Sequence, residues 1–149
     1  MSKITTVYNA VKSSLAEVFP SHIRLPNPYD IEANPLMGRS LYGFKIDDGN
    51  QETLEFCNYS IDRRIIIVLV ERHVMNEGRA DGFDIASLAL LENTNLVLKE
   101  FLNSSELGIS SSIERITLGS ASAIKSLNNN DESFLFTEIS FNILISESL

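Results

Sequence analysis

Two histidines, one cysteine and twenty acidic side chains are where metal binding, nucleophilic attack or proton transfer could begin in this chain. His73 follows Glu71 by two positions, which puts both on one face of a strand. A zinc site needs three or four ligands, and no third falls at metal spacing. His22 stands in a proline-rich stretch without a second ligand, so both histidines read as solvated side chains. Asp47-Asp48-Gly49-Asn50 superficially resembles a calcium loop but lacks its alternating ligands and terminal Glu, and a hairpin turn accounts for it. Asp81-Gly82-Phe83-Asp84 reads as a turn followed by a helix cap. Gly119-Ser120-Ala121-Ser122 follows a strand without the Lys of a phosphate loop, and neither a Gly-x-Ser-x-Gly elbow nor a dinucleotide fingerprint occurs. Cys57, alone, forms no internal disulfide and reads as a buried thiol. No catalytic, cofactor-binding or metal-binding residue is assigned, and the sequence reads as that of a non-enzyme.

The composition agrees. The chain has 149 residues, 44% hydrophobic and 21% charged, the proportions of a single folded domain rather than a disordered or fibrous chain. Twelve basic against twenty acidic residues give a net charge of −8, which argues against direct nucleic-acid binding, since neutralising phosphates needs clustered Lys and Arg. The polar start Met1-Ser2-Lys3-Ile4-Thr5-Thr6 has no signal-peptide core, and cytoplasmic synthesis is expected. The longest apolar run, Ile65 to Val70, falls far short of the roughly 18 residues of a membrane span.

Periodicity supplies the elements. Ile4, Val7, Tyr8, Val11, Leu15, Val18 and Phe19 mark an amphipathic helix ending at Pro20. All four prolines, Pro20, Pro26, Pro28 and Pro35, follow in a long extended arm. Leu41 to Ile46 and Thr53 to Asn58 read as strands on either side of the Asp47–Asn50 turn, and Ile65 to Val70 as the central strand. After a connection from Asn76 to Gly82, Asp84 can cap a helix whose apolar face is Ile85, Leu88, Leu91, Val97, Leu98, Phe101 and Leu102, with a kink or phase drift at Asn93-Thr94-Asn95. Ile113 to Ser122 and Phe134 to Glu147 close the chain as strands around a turn at Asn128–Asp131, with a bulge or twist near Thr137 because Phe134 and Phe136 are out of phase with Ile139. The expected fold is α+β, a largely antiparallel or mixed sheet packed by two helices in the order α-β-β-β-α-β-β, with the proline-rich arm. The central strand is apolar on both faces while two helices cover one. The second face therefore needs the arm, a curled part of the sheet or a neighbouring subunit.

The stretch Leu25-Pro26-Asn27-Pro28-Tyr29-Asp30-Ile31-Glu32-Ala33-Asn34, followed by Leu41-Tyr42-Gly43-Phe44, resembles a pattern in small structural proteins of tailed bacteriophages. The order of elements over nearly the whole chain is similar to the tail terminator (tail completion) family. The resemblance implies a virion structural protein, assembled in the host cytoplasm, that forms a homohexameric ring. Such a ring caps the tail tube and joins it to the head or neck, with the tail tube protein and a neck connector as partners and no catalytic residues. A neck or head-to-tail adaptor is the alternative, and a small intracellular binding module or an unrecognised hydrolase comes third. The candidate subunit contacts are Leu25, Asn27, Pro28, Tyr29, Ile31 and Glu32 of the arm, Arg63 and Arg64 before the central strand, and Asn76, Glu77 and Arg79 after it. The arm's fixed φ values reduce the entropy lost on docking.

Overall fold

The computed structural model describes residues 3–29, 40–55, 58–74, 82–103, 115–129 and 132–148. Helix α1, Lys3–Val18, buries Val7, Val11 and Leu15 along one stripe. It stops where Pro20 withholds an amide, and Phe19 N closes the last turn on Leu15 O at 2.9 Å. Strands β1 (Ile23–Arg24), β2 (Ser40–Glu55) and β3 (Asn58–Val74) precede helix α2 (Gly82–Asn103). Strands β4 (Arg115–Ala121), β5 (Lys125–Asn129) and β6 (Glu132–Ser148) follow it. The sheet runs β1-β2-β3-β6-β4, with β5 also on β6. Among the described strands only β1 and β2 pair in parallel. The expected α+β class, two helices on a mixed sheet, is what the chain forms, and the Ile65–Val70 run lies at its centre.

Several elements fall elsewhere than the pattern suggested. Asp47–Asn50 is no hairpin turn. β2 runs through it, and the reversal comes between Glu55 and Asn58. Asp48 pairs with Arg63 and Glu52 with Ile61, so β2 carries two extra residues there and absorbs them as a bulge. The two short strands expected between residues 41 and 58 are therefore one long strand and the start of β3. The other two strands of the observed order, β1 inside the arm and β5 at Lys125–Asn129, are too short to show a period. The bulge expected near Thr137 is absent, because β6 pairs with β3 without a break. Phe134 and Phe136 simply face the other side of the sheet from Ile139. The irregularity lies in the neighbouring chain segment at Ser122, whose carbonyl accepts from Thr137 Oγ1 at 2.9 Å and whose Oγ accepts from Glu138 N at 2.9 Å. Gly119-Ser120 sits at a second register shift, where a Cβ on Gly119 would come within 2.9 Å of Ser140 Oγ.

Both helices cover one face of the sheet. Val7, Val11 and Leu15 from α1, Phe19 just after it, and Ala86, Leu90, Val97 and Phe101 from α2 meet Tyr42, Phe44, Ile65, Ile67, Leu69, Ile139, Phe141 and Ile143. The other face has its own cluster, in which Leu25 of the arm joins Leu41, Ile66, Val68, Val70 and Phe134. From the described part of the arm, Leu25 lies on this face and Ile23 packs against it. Leu25 N donates to Tyr42 O at 2.7 Å, extending the short parallel pairing of β1.

Gly43 lets the arm come this close. A Cβ at that position would lie 2.8 Å from Pro28 Cβ and 2.9 Å from Pro28 Cα, with Leu25 O at 3.3 Å. Pro28 cannot rotate away, since its side chain is a ring closed on the backbone. Gly43→Ala is therefore expected to cost about 1 to 3 kcal/mol, as overpacked sites do. A urea midpoint unchanged or raised would show that the arm is not seated on β2.

Candidate functional site

Beyond Leu25 the arm turns along the edge of β2. Asn27 Oδ1 accepts from Tyr29 N at 3.0 Å, an Asx turn that presents Tyr29 to solvent with 51% of its surface exposed. Lys45 Nζ stands 4.9 Å from the centroid of the Tyr29 ring and 2.8 Å from Asp47 Oδ2. The hydrogen bond to Asp47 holds the lysine above its ordinary pKa. On the other side, Tyr8 of α1 leans on Phe44 with ring centroids 5.1 Å apart. Arg24 backs this pair: its Nη2 donates to Tyr8 Oη at 3.1 Å and its guanidinium lies 4.8 Å over the Phe44 ring.

Between these groups runs an open groove of about 500 Å³. Ile4 and Tyr8 wall it from α1, residues 26–29 from the arm, and Phe44, Lys45 and Ile46 from β2, while Arg63 reaches in from β3. The surface is apolar and aromatic, with lysine and arginine within it. In a protein of net charge −8 such a place is a minority surface.

The expected contact residues separate accordingly. Asn27, Pro28, Tyr29 and Arg63 come together at the groove. Leu25 is buried against the chain's own sheet, and Pro28 is largely buried against Gly43 at the groove's inner wall. Arg64 is exposed and, one residue from Arg63 on a strand, belongs to the other face. Ile31, Glu32, Asn76, Glu77 and Arg79 lie outside the described residues, as does Cys57.

Helix α2 supplies a surface that the periodicity assigned to the core. The expected apolar face included Ile85, Leu88, Leu91 and Leu102, but these are 52%, 57%, 54% and 42% exposed. The buried stripe is Ala86, Leu90, Val97 and Phe101, one residue out of phase in the first half. The cause sits at Asn93-Thr94. These polar residues occupy the inner face, where Thr94 Oγ1 donates to Leu90 O at 2.8 Å and Asn93 turns to a buried carboxylate. The helix nevertheless runs unbroken from Gly82 to Asn103, and Asp84 lies within its first turn rather than at the cap, where it favours the helix dipole. The outer face keeps Ile85, Leu88 and Leu91, with exposed Asp84 and Glu92 beside them.

That buried carboxylate is Glu71, 6% exposed on the helix side of β3. Its Oε1 accepts from Ser40 Oγ at 2.7 Å and from Asn93 Nδ2 at 3.2 Å. Asn93 Nδ2 also stands 3.2 Å from His22 Nε2, and the His22 ring packs on Phe19 at 4.6 Å. His22 is thus half-buried, not the solvated side chain expected, and Glu71 is a fastening between β3, β2 and α2 rather than a charged end to an apolar strand. Among the described residues no group of three or more His, Cys, Asp or Glu could hold a metal, and no helix is long and apolar enough to cross a membrane.

Burial lowers the His22 pKa from its ordinary 6.5. The unfolded chain therefore binds a proton at a pH where the folded chain does not, and stability falls as pH drops below about 6.5. A protonated ring would also present a donor to the Asn93 amide. His22→Gln is expected to remove this component. Urea midpoints measured at about pH 7.5 and about pH 5.5 should differ less for the variant than for the wild type, and equal differences would refute the assignment.

No protein-family model and no curated protein sequence matches the chain.

Proposed function

We propose that this protein is a virion structural subunit of a tailed phage, one that closes into a ring on the end of the tail tube and offers the surface to which the neck docks. The observation that carries the reading is the outward face of α2. Ile85, Leu88, Leu91, Leu96 and Leu102, each 42% to 57% exposed, lie along a single 22-residue helix, with Phe83 exposed at its start. Single exposed apolar residues are ordinary, whereas a continuous run of them marks a surface that another macromolecule covers. The exposed charges beside it are mainly acidic, which suits a protein partner and not an anionic lipid surface. The residue pattern from Leu25 to Phe44 resembles small structural proteins of tailed bacteriophages, and the order of elements resembles the tail terminator family. In this reading the described part of the arm, Pro20 to Tyr29, frames one side of the subunit, and the protein acts by being bound rather than by catalysis.

Electron microscopy tests this directly. Purified full-length chain, alone and mixed with isolated tail tubes, is expected to give sixfold rings and rings seated on tube ends. Attachment to the head vertex instead of the tube would assign it to the neck. Virions made without the protein should have tails of abnormal length that fail to join heads. Normal, joined tails would overturn the proposal.

A further inference from the structure

The strands on either side of β3 each have a definite inner face. On β6, Ile139, Phe141 and Ile143 point toward the helices, and the less buried Ser140 and Asn142 alternate with them. On β2, Tyr42 and Phe44 point the same way, while Gly43 between them faces the arm. β3 has no such contrast over six residues. Ile65, Ile67 and Leu69 are buried on the helix side, and Ile66, Val68 and Val70 on the other, each 9% exposed or less. A slip of one residue turns every side chain of a strand to the opposite face, and alternation normally forbids it. Here a slip would only exchange Ile, Ile and Leu for Ile, Val and Val.

We propose that β3 takes its register from the charged residues at the two ends of this run, and that Glu71 is the lock. Suppose β3 slid so that each residue took the place of the one before it. Glu71 would enter the site of Val70, 1% exposed in the cluster with Leu25, Leu41 and Phe134. Arg72 would enter the site of Glu71, where Ser40 Oγ at 2.7 Å and Asn93 Nδ2 at 3.2 Å both donate. A guanidinium brings donors alone, so that site would hold no acceptor. The opposite slip would carry the exposed Arg64 into the fully buried site of Ile65. Either way a charge is buried without its partners, at heavy cost.

Glu71 is the more specific of the two ends, because it is wanted at its own site as well as excluded from the next. Ser40 is its cross-strand partner on β2, and Asn93 comes from α2. One side chain thus sets β3 against its neighbour in the sheet and against the helix layer together. Fixing registry is the best-attested use of a buried polar group, and it is a matter of specificity more than of stability. The device serves the fold whatever the protein binds.

Moving the carboxylate by one residue tests the lock. In Glu71→Val with Arg72→Glu, the slipped register brings the displaced carboxylate to Ser40 and Asn93 and a valine to the site of Val70. Cross-strand proton contacts, read by NMR on the full chain, are expected to shift by one residue. Ile139 of β6 should face Val68 instead of Ile67, and Tyr42 of β2 should face Val70 instead of Leu69. A second variant, Glu71→Val with Arg72→Val, extends the apolar run and removes the lock, so β3 should show two sets of amide signals, one for each register. Glu71→Gln keeps an oxygen that accepts from Ser40 and Asn93, and should keep one set with the wild-type pairing. Two sets there would overturn the part given to these hydrogen bonds. If the first variant folds with the wild-type pairing, the inference fails. If it does not fold, the second decides: a single wild-type set, or no folding there either, overturns the inference, because a slipped register is then no competing state.

Discussion

Alanine in place of Phe101 is expected to lower folding stability by about 3 to 5 kcal/mol, a fall in Tm of roughly 10 °C for a domain of this size. Phe101 is fully buried and stacks on Phe141 of β6, with ring centroids 5.0 Å apart and planes 18° from parallel. It is where the last turn of α2 is fastened to the sheet. Leu102, one residue on, provides the internal control. The periodicity placed both residues on one apolar face, but Leu102 is 42% exposed, and its alanine variant should stay within about 0.5 kcal/mol of wild type. Thermal unfolding of the two variants side by side reads out the phase of the helix. Similar losses for both would contradict the orientation of α2 described above.

Serine at positions 85, 88 and 91 together should act in the opposite way. These side chains contribute little to the chain's own core, so the triple variant is expected to melt within a few degrees of wild type. In an assembly they are removed from water, at about 25 cal/mol for each Å² of apolar surface, and their loss should abolish the assembled species and the binding to tube ends. Sedimentation velocity beside a melting curve separates the two effects. A triple variant that assembles like the wild type would remove α2 as the contact surface. One that unfolds would show that the stripe is part of the core.

Much of the architecture was legible in the order of residues. α1 could be read from Val7, Val11 and Leu15, β3 from the β-branched run at Ile65–Val70, and the buried face of β6 from Ile139, Phe141, Ile143 and Ile145. Each signal is a local period that tertiary packing then respects. The errors arose where two periods competed or where a partner decided the outcome. In α2 both faces are apolar, and the better-looking one is solvent-facing because Asn93 on the inner face answers Glu71 from β3. A composition rich in Asp, Gly and Asn suggested a turn at residues 47–50, but antiparallel pairing on both sides of it makes a bulge cheaper than a reversal. For the candidate site, Asn27, Tyr29 and Arg63 were accessible from sequence, whereas Tyr8, Phe44 and Lys45 were not. Tyr8 sits on α1 and Phe44 and Lys45 on β2, each with an adequate local explanation, and the packing of α1 and the arm on β2 makes them one surface. Glu71 gave one hint that went unused: a carboxylate directly after six apolar strand residues, continuing the alternation toward the helix side.

The pairing of β3 with β6 bears on how the chain reaches this fold. All 17 residues from Asn58 to Val74 pair with residues 132–148, from the far end of the chain and across all of α2, β4 and β5. β2 and β3 are neighbours in sequence and can zip together early, but the far edge of β3 stays open until the last strand has been made. During that interval Ile65 to Val70 offers unpaired amides and carbonyls beside a run of β-branched side chains, a template for any other strand that meets it. A chain truncated before residue 132 should therefore aggregate rather than fold to a smaller domain. The flanking Arg63, Arg64 and Arg72 act in the nascent chain as a kinetic safeguard, holding growing copies apart by like charge until β6 closes the edge.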